Sequence, residues 1–463
     1  MRYLPHQYQD AALRWLIQRT ILDGHQGAAL FLDPGAGKTS TTLAWFRLLR
    51  MLGLAEKALI VAPLRVVYSV WPREIAKWDQ FAGLKVSIIH GNPKQRLKAL
   101  EADTDIYLVN TDGVSWLQKQ YEQKSHPWDV LIVDESSPFK NWGAARTKAL
   151  RKLVPRFRLR LILTGTPSPN GLEDLFSQVW IVDRGEALGA NITQYRKRYF
   201  FRGGYGGYKW IPNESSGKLI EYRIKNLCLR MSAADHLDLP ELITNDVWVD
   251  LPTKAAKQYK QLEKEMFLLL SGGDELTPLN AGAKYNACKQ IANGGVYDEN
   301  HEALEIHNAK IDAVTDIVAE LQGKPVMIAF QYKHDLGRLR KIWPNIPTID
   351  GSTKPRETDE LVEKWNDGAL PLLAVQPQAL SHGLNLQNGP GRDLIWLGLT
   401  DNLETYLQLN ARIYRQGVSS QVRIHRILAS KTVDEAVRDR IRGKDQSQRA
   451  LLNALNEYGS KEL

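Results

Sequence analysis

The stretch AALFLDPGAGKTSTTLAW, Ala28 to Trp45, decides the fold. An apolar run, Ala28–Leu32, feeds a glycine turn that opens directly into a helical pattern. Phosphate binding needs that order. Gly35 and Gly37 let the backbone N–H groups through Ala36 approach phosphate oxygens, and the following helix directs its positive end at them. Lys38 supplies a point charge to the β- and γ-phosphates, and Thr39 a hydroxyl for Mg²⁺. The full P-loop pattern would place glycine at position 32, where this chain has leucine. A lone glycine turn is more often a structural loop; GAGKT between a strand and a helix favours a bound nucleotide.

Working outward, apolar runs alternate with helical patterns through the first 180 residues. The runs at Ala58–Ala62, Val86–Ile89, Ile106–Val109, Val130–Val133 and Leu161–Thr164 are apolar but for Ser87 and Thr164, as expected of strands covered on both faces. The alternation returns at Val326–Phe330, Leu372–Val375, Leu394–Leu397 and Val422–Leu428. Between them the pattern turns polar and helical, as in Thr253–Leu270. The expected class is α/β, with a parallel-sheet lobe over 1–185, a more helical insertion over 186–305 and a second parallel-sheet lobe over 306–463.

LIVDESS, Leu131 to Ser137, ends an apolar strand in two carboxylates at the carboxyl edge of the sheet, where ligands of open α/β folds sit. Asp134 is the candidate for the Mg²⁺ shell. Glu135 is the candidate to orient or deprotonate the attacking water. In QLNARIYRQG, spacings of four and three put Gln408, Arg412 and Arg415 on one helical face. Such a trio is usually a solvated face. Beside a phosphate site with no partner for charge developing at the γ-phosphate, it becomes a candidate catalytic set worth roughly 10³ to 10⁵ in rate.

Composition excludes other classes. The 463 residues are 43% hydrophobic and 24% charged, too apolar for dominant disorder. No apolar stretch approaches the roughly 18 residues a membrane span needs. The N-terminal MRYLPHQYQD lacks the apolar core of a signal peptide, and Cys228 and Cys288 offer no metal spacing. A cytoplasmic setting in a bacterium or a phage-infected host is expected, with no membrane partner.

Together these elements resemble superfamily-two helicases and translocases, specifically their Swi/Snf-like branch, over nearly the whole chain. HQYQDAALRW is similar to the adenine-reading segment, with Gln9 at its glutamine. DPGAGKT resembles the branch's own motif I, which also lacks the first P-loop glycine. The resemblance implies nucleic-acid contacts at Pro63 and Arg65 in VAPLRVVYSVW, and at Asn110 and Thr111 in LVNTDGV. It implies others at Thr164 and Thr166 in LTGTPSPN, the segment linking hydrolysis to strand movement, and at Ser352 and Thr353 in IDGST. CLRMSAADHLDLPE and KQIANGG resemble linker signatures, and ALSHGLNLQ a second-lobe motif that brings Gly383 to ATP. QLNARIYRQG resembles the arginine-finger motif. Ser137 stands where many relatives carry histidine, and Leu380 and Ser381 replace a glycine pair. The implied fold is two RecA-like lobes, and the implied activity is ATP-driven movement on double-stranded DNA. Compact stand-alone motors of this kind resemble bacteriophage or prophage proteins. Strand separation on branched or single-stranded DNA or on RNA stays open, as does a nucleotide-gated DNA-binding subunit of a larger nuclease or recombination assembly.

The charge balance of 61 basic to 52 acidic residues is uneven along the chain. Arg146–Arg160 holds seven basic residues and Gln194–Ile211 five, with no acid in either. The second segment, QYRKRYFFRGGYGGYKWI, adds seven aromatics and four glycines. Aromatics stack on bases and cations hold phosphates, so Arg202 and Tyr205 are candidate nucleic-acid contacts. A packed β-hairpin is the alternative, because GGYGG is also a good turn.

Overall fold

The computed structural model describes residues 1–203, 209–231, 239–271, 278–298, 300, 302–380 and 384–459. The chain divides into two compact units, residues 1–238 with 444–463, and residues 239–443.

The first unit is built on a sheet of seven parallel strands. They are β1 Gly27–Leu32, β2 Ala58–Ala62, β3 Val86–Ile89, β4 Ile106–Asn110, β5 Val130–Asp134, β6 Leu159–Thr164 and β9 Cys228–Met231. β7 Phe200–Gly203 and β8 Lys209–Pro212 form a separate antiparallel hairpin. Strand order is β3-β4-β2-β5-β6-β1-β9. Alternate residues of each strand enter opposite cores: Ala29, Phe31, Leu59, Val61, Leu131 and Val133 on one face, Ala28, Leu30, Ile60, Ile132 and Leu161 on the other. That two-sided burial is why these strands read as unbroken apolar runs.

The second unit holds a sheet of six parallel strands, ordered β10-β17-β16-β13-β15-β14. These are β10 Leu242–Val249, β13 Val326–Ala329, β14 Thr348–Ile349, β15 Leu372–Val375, β16 Asp393–Trp396 and β17 Val422–Ala429; β11 Gly295–Tyr297 and β12 Ala303–Glu305 form a small hairpin. A buried polar knot anchors this unit. Asp335 accepts from Arg338 Nη2 at 2.8 Å and Asn293 Nδ2 at 3.1 Å, and Lys310 Nζ donates to Asn293 Oδ1 at 2.8 Å.

The two RecA-like parallel-sheet lobes read from the sequence are present. The middle of the chain is less of a pure insertion than its polar pattern suggests, because β9 edges the first sheet and β10 the second. Neither was legible as a strand: β9 is four residues long with an arginine inside it, and β10 is only partly buried. Among the described residues no helix is long and apolar enough to cross a membrane.

Candidate nucleotide site

The glycine turn lies at the carboxyl end of β1. Gly35 and Gly37 adopt φ of +88° and +72°, left-handed values that glycine accepts without strain. Gly37 caps the helix Lys38–Met51, so its first N–H groups face the turn. Lys38 Nζ lies back on the loop, donating to Leu32 O at 2.9 Å, and Thr39 is half-buried beside it. Gln9 packs its amide against Gly37, where any Cβ would collide with it, and its Oε1 accepts from His6 N at 3.0 Å. Gln9, Gly35, Ala36, Gly37, Lys38 and Thr39 are therefore gathered around one turn. Gly383 lies outside the described residues.

A further residue joins them. Arg230, on β9 in register with Phe31, ion-pairs through Nη2 with Asp33 Oδ1 at 2.8 Å and donates from Nη1 to Phe31 O at 3.1 Å. It fixes the first residue of the loop from the neighbouring strand.

Asp134 ends β5, two strands from β1 across β6. Asp134 is 6% exposed, and its carboxylate accepts from Trp71 Nε1 at 2.9 Å. Burial and the adjacent Glu135 carboxylate push it up to about 6, against the Lys38 charge and the Trp71 hydrogen bond. A buried oxygen donor raised in this way fits a hard divalent cation, which would favour its ionised form. Asp134 and the Thr39 hydroxyl are the oxygens that would hold Mg²⁺, and the ion would offset phosphate charge. Glu135 follows with φ of +53°, a conformation that costs a non-glycine residue about 1–3 kcal/mol. Its Oε2 lies 3.5 Å from Thr164 Oγ1, which also accepts from Thr166 N at 3.0 Å.

Thr164 and Thr166 are thus buried against the acidic end of β5 rather than open to solvent. Pro63 and Arg65 are half-buried just after β2; Asn110 ends β4 half-buried, and Thr111 is buried beside it. Ser352 is exposed in the turn after β14, where Asp350 Oδ1 accepts from its hydroxyl at 2.6 Å, and half-buried Thr353 accepts through Oγ1 from Asp350 N at 2.9 Å.

The two basic segments fare differently. In 146–160, Arg156 and Arg158 donate to backbone carbonyls, Arg160 Nε to Val182 O at 2.8 Å, and Arg151 stacks on Trp142 at 3.3 Å. Arg160 is thereby buried in the fold, whereas Lys148, Lys152, Arg156 and Arg158 stay exposed. In 194–211 the chain forms the β7–β8 hairpin. Arg202 is exposed on it and stacks on Trp210 at 5.2 Å, while Arg196 stacks on the same ring at 5.4 Å. Tyr205 lies outside the described residues.

In the second unit, Gln408 and Arg412 lie on the helix Leu403–Ile413 and are 3% and 7% exposed. Arg412 Nη1 donates to Leu384 O at 3.2 Å, and Arg415 Nη1 to Asn385 Oδ1 at 2.7 Å. The expectation of one helical face holds for only two of the three. The backbone turns extended at Tyr414, whose hydroxyl donates to Pro240 O at 3.0 Å, and Arg415 follows the helix on a loop.

A phosphate-binding turn and a buried acidic strand end on one parallel-sheet edge define a P-loop nucleoside triphosphatase. The SNF2-related domain matches residues 8–292, and the helicase conserved C-terminal domain matches residues 309–417. The putative protein p41 of Acyrthosiphon pisum secondary endosymbiont phage 1 is 39% identical over 98% of this chain and 99% of its own length. A putative ATP-dependent helicase/translocase of Bacillus subtilis, YwqA, is 25% identical over 98% of this chain and 50% of its own length. The chain spans half or less of YwqA and of the remodelling proteins it also matches. The SWI2/SNF2 ATPase core of Sulfolobus solfataricus, solved with double-stranded DNA, is 20% identical, covering 99% of this chain and 95% of that one at a TM-score of 0.47. The chain belongs to the SNF2-related family, the Swi/Snf-like branch of superfamily-two helicases, and is an ATP-using enzyme.

Proposed function

We propose that this protein couples MgATP hydrolysis to movement along double-stranded DNA. The observation that carries the reading is the single sheet edge holding the Gly35–Thr39 turn, Asp134 and Glu135, with Thr164 and Thr166 bonded to it. In that arrangement Lys38 and the turn's N–H groups bind phosphate, and Glu135 takes up the proton or the orientation of the attacking water. Gln408, Arg412 and Arg415 serve the γ-phosphate, a role their motif supports. Thr164 and Thr166 link the state of the γ-phosphate to the nucleic-acid contacts at Pro63, Arg65, Asn110, Thr111, Arg202, Ser352 and Thr353.

The family membership and the helicase/translocase named among its relatives favour a motor over a nucleotide-gated binding module. Displacement of a triplex-forming strand tests the reading. Release driven by ATP without separation of a labelled duplex supports translocation. Separation of branched or plain duplexes would instead make the protein a strand-separating helicase, and neither activity would leave the binding module.

A further inference from the structure

Ser136 and Gln178 have no part in the chemistry described so far, yet they meet in the core behind it. Gln178 lies fully buried in the helix Leu175–Asp183. Its amide nitrogen donates to two carbonyl oxygens, Pro167 at 2.7 Å and Asp174 at 2.8 Å. Carbonyls only accept, so the amide orientation is fixed and Oε1 faces Ser136. The Ser136 hydroxyl then has to donate, and does so at 2.5 Å. Ser136 is also held through its backbone, its N–H on Leu163 O at 3.1 Å and its carbonyl accepting from Phe139 N at 2.9 Å.

Ser136 directly follows Glu135, the non-glycine residue with φ of +53°. Left-handed backbone at such a residue persists only where its surroundings over-determine it. Gln178 is also an odd choice for packing. Its buried neighbours on the helix include Leu175, Phe176, Val179 and Ile181, and a buried amide is costly unless its polar atoms are paired.

We propose that Gln178 is a positioning residue for Glu135: its bond to Ser136 holds the Glu135 backbone left-handed and ties it to the Thr166–Pro167 turn. The proposal rests on the reading of Glu135 as the carboxylate that acts on water. It gives the acidic box a connection within the first unit that does not require a histidine at position 137.

Four variants test it by steady-state ATP hydrolysis, nucleotide binding and thermal midpoint. Gln178→Met keeps the length and loses the hydrogen bonds. It should lower kcat about 10- to 100-fold, as expected for a misplaced catalytic group, with KM for ATP and nucleotide affinity nearly unchanged. Ser136→Ala should do the same, and the double variant should be no worse than either single. Gln178→Glu can accept from Ser136 but needs a proton to donate to Pro167, so its kcat relative to wild type should rise as pH falls from 8 to 6. Full kcat in a folded Gln178→Met, additive losses, or a flat pH ratio would overturn the proposal. Should Gln178→Met lose its fold, the Ser136→Ala rate and the Gln178→Glu pH ratio decide. Glu135→Gln run in parallel separates the two claims. Full turnover there removes the Glu135 reading and the proposal with it; an inactive Glu135→Gln beside a fully active Gln178→Met removes the proposal alone.

Discussion

Trp71 donates its indole N–H to the Asp134 carboxylate over 2.9 Å, so the segment after β2 reaches into the acidic end of β5. Both residues are buried. A hydrogen bond to a charged group contributes about 1.5–3 kcal/mol. Trp71→Phe keeps most of the packing and removes the donor. ATP turnover should fall about tenfold, and the Mg²⁺ concentration for half-maximal rate should shift. A Mg²⁺ titration of ATP hydrolysis checks this; curves superimposable on wild type would remove Trp71 from the site.

Gly37→Ala should weaken nucleotide binding with little effect on the rest of the fold. The substitution forces a Cβ into left-handed backbone and into the Gln9 amide at once. A fluorescent ATP analogue should bind at least about tenfold more weakly, a loss of roughly 1.4 kcal/mol or more. Circular dichroism should stay native.

Arg202→Ala should weaken DNA binding and flatten its dependence on salt. Arg202 is exposed on the β7–β8 hairpin, and its side chain stacks on Trp210. One lost phosphate contact lowers the slope of log affinity against log salt by about 0.9. Fluorescence anisotropy at several salt concentrations measures the slope. An unchanged slope places the hairpin away from the DNA path.

Asp335→Asn should destabilise the second unit by about 3 kcal/mol, because it breaks a fully buried ion pair and leaves Arg338 in place. Burial pushes the Asp335 carboxyl up, but His334, Arg338 and the Tyr332 N–H outweigh it and hold it below the usual range. A lowered carboxylate stabilises the fold above its unfolded pKa of about 3.9, and that contribution is lost as pH falls through the folded value. The gap in thermal midpoint between wild type and variant should therefore be wide near pH 6 and close below about pH 3.9. A gap that stays constant across that range contradicts the assignment.

Apart from β9, β10 and β14, the strands of both sheets were legible because burial leaves largely apolar runs; β2 and β3 match the sequence reading residue for residue. β10 was not legible: it is an edge strand, partly exposed, and its LITNDVWV pattern carries polar residues no interior strand would. The phosphate turn and the acidic pair could be read because their chemistry demands a local order of residue types. Trp71, Gln178 and Arg230 could not, since each acts on a motif that is 63, 42 or 197 residues away in sequence. A tryptophan or an arginine on an apolar segment reads as packing until the fold shows which polar atom it meets. The roles of the Arg146–Arg160 run were likewise not legible. The sequence shows only its charge, whereas the fold shows Arg158 and Arg160 donating to carbonyls and Arg151 stacked on Trp142.

The central claim is that Glu135 acts on water at a site that Lys38 and Asp134 complete. ATP hydrolysis by Glu135→Gln, with and without saturating double-stranded DNA, tests it most directly. Nucleotide binding should stay close to wild type, turnover should fall by a factor of about 10² or more with no recovery on adding DNA, and the wild-type rate should rise with DNA. DNA-stimulated hydrolysis at the wild-type rate in Glu135→Gln would contradict it.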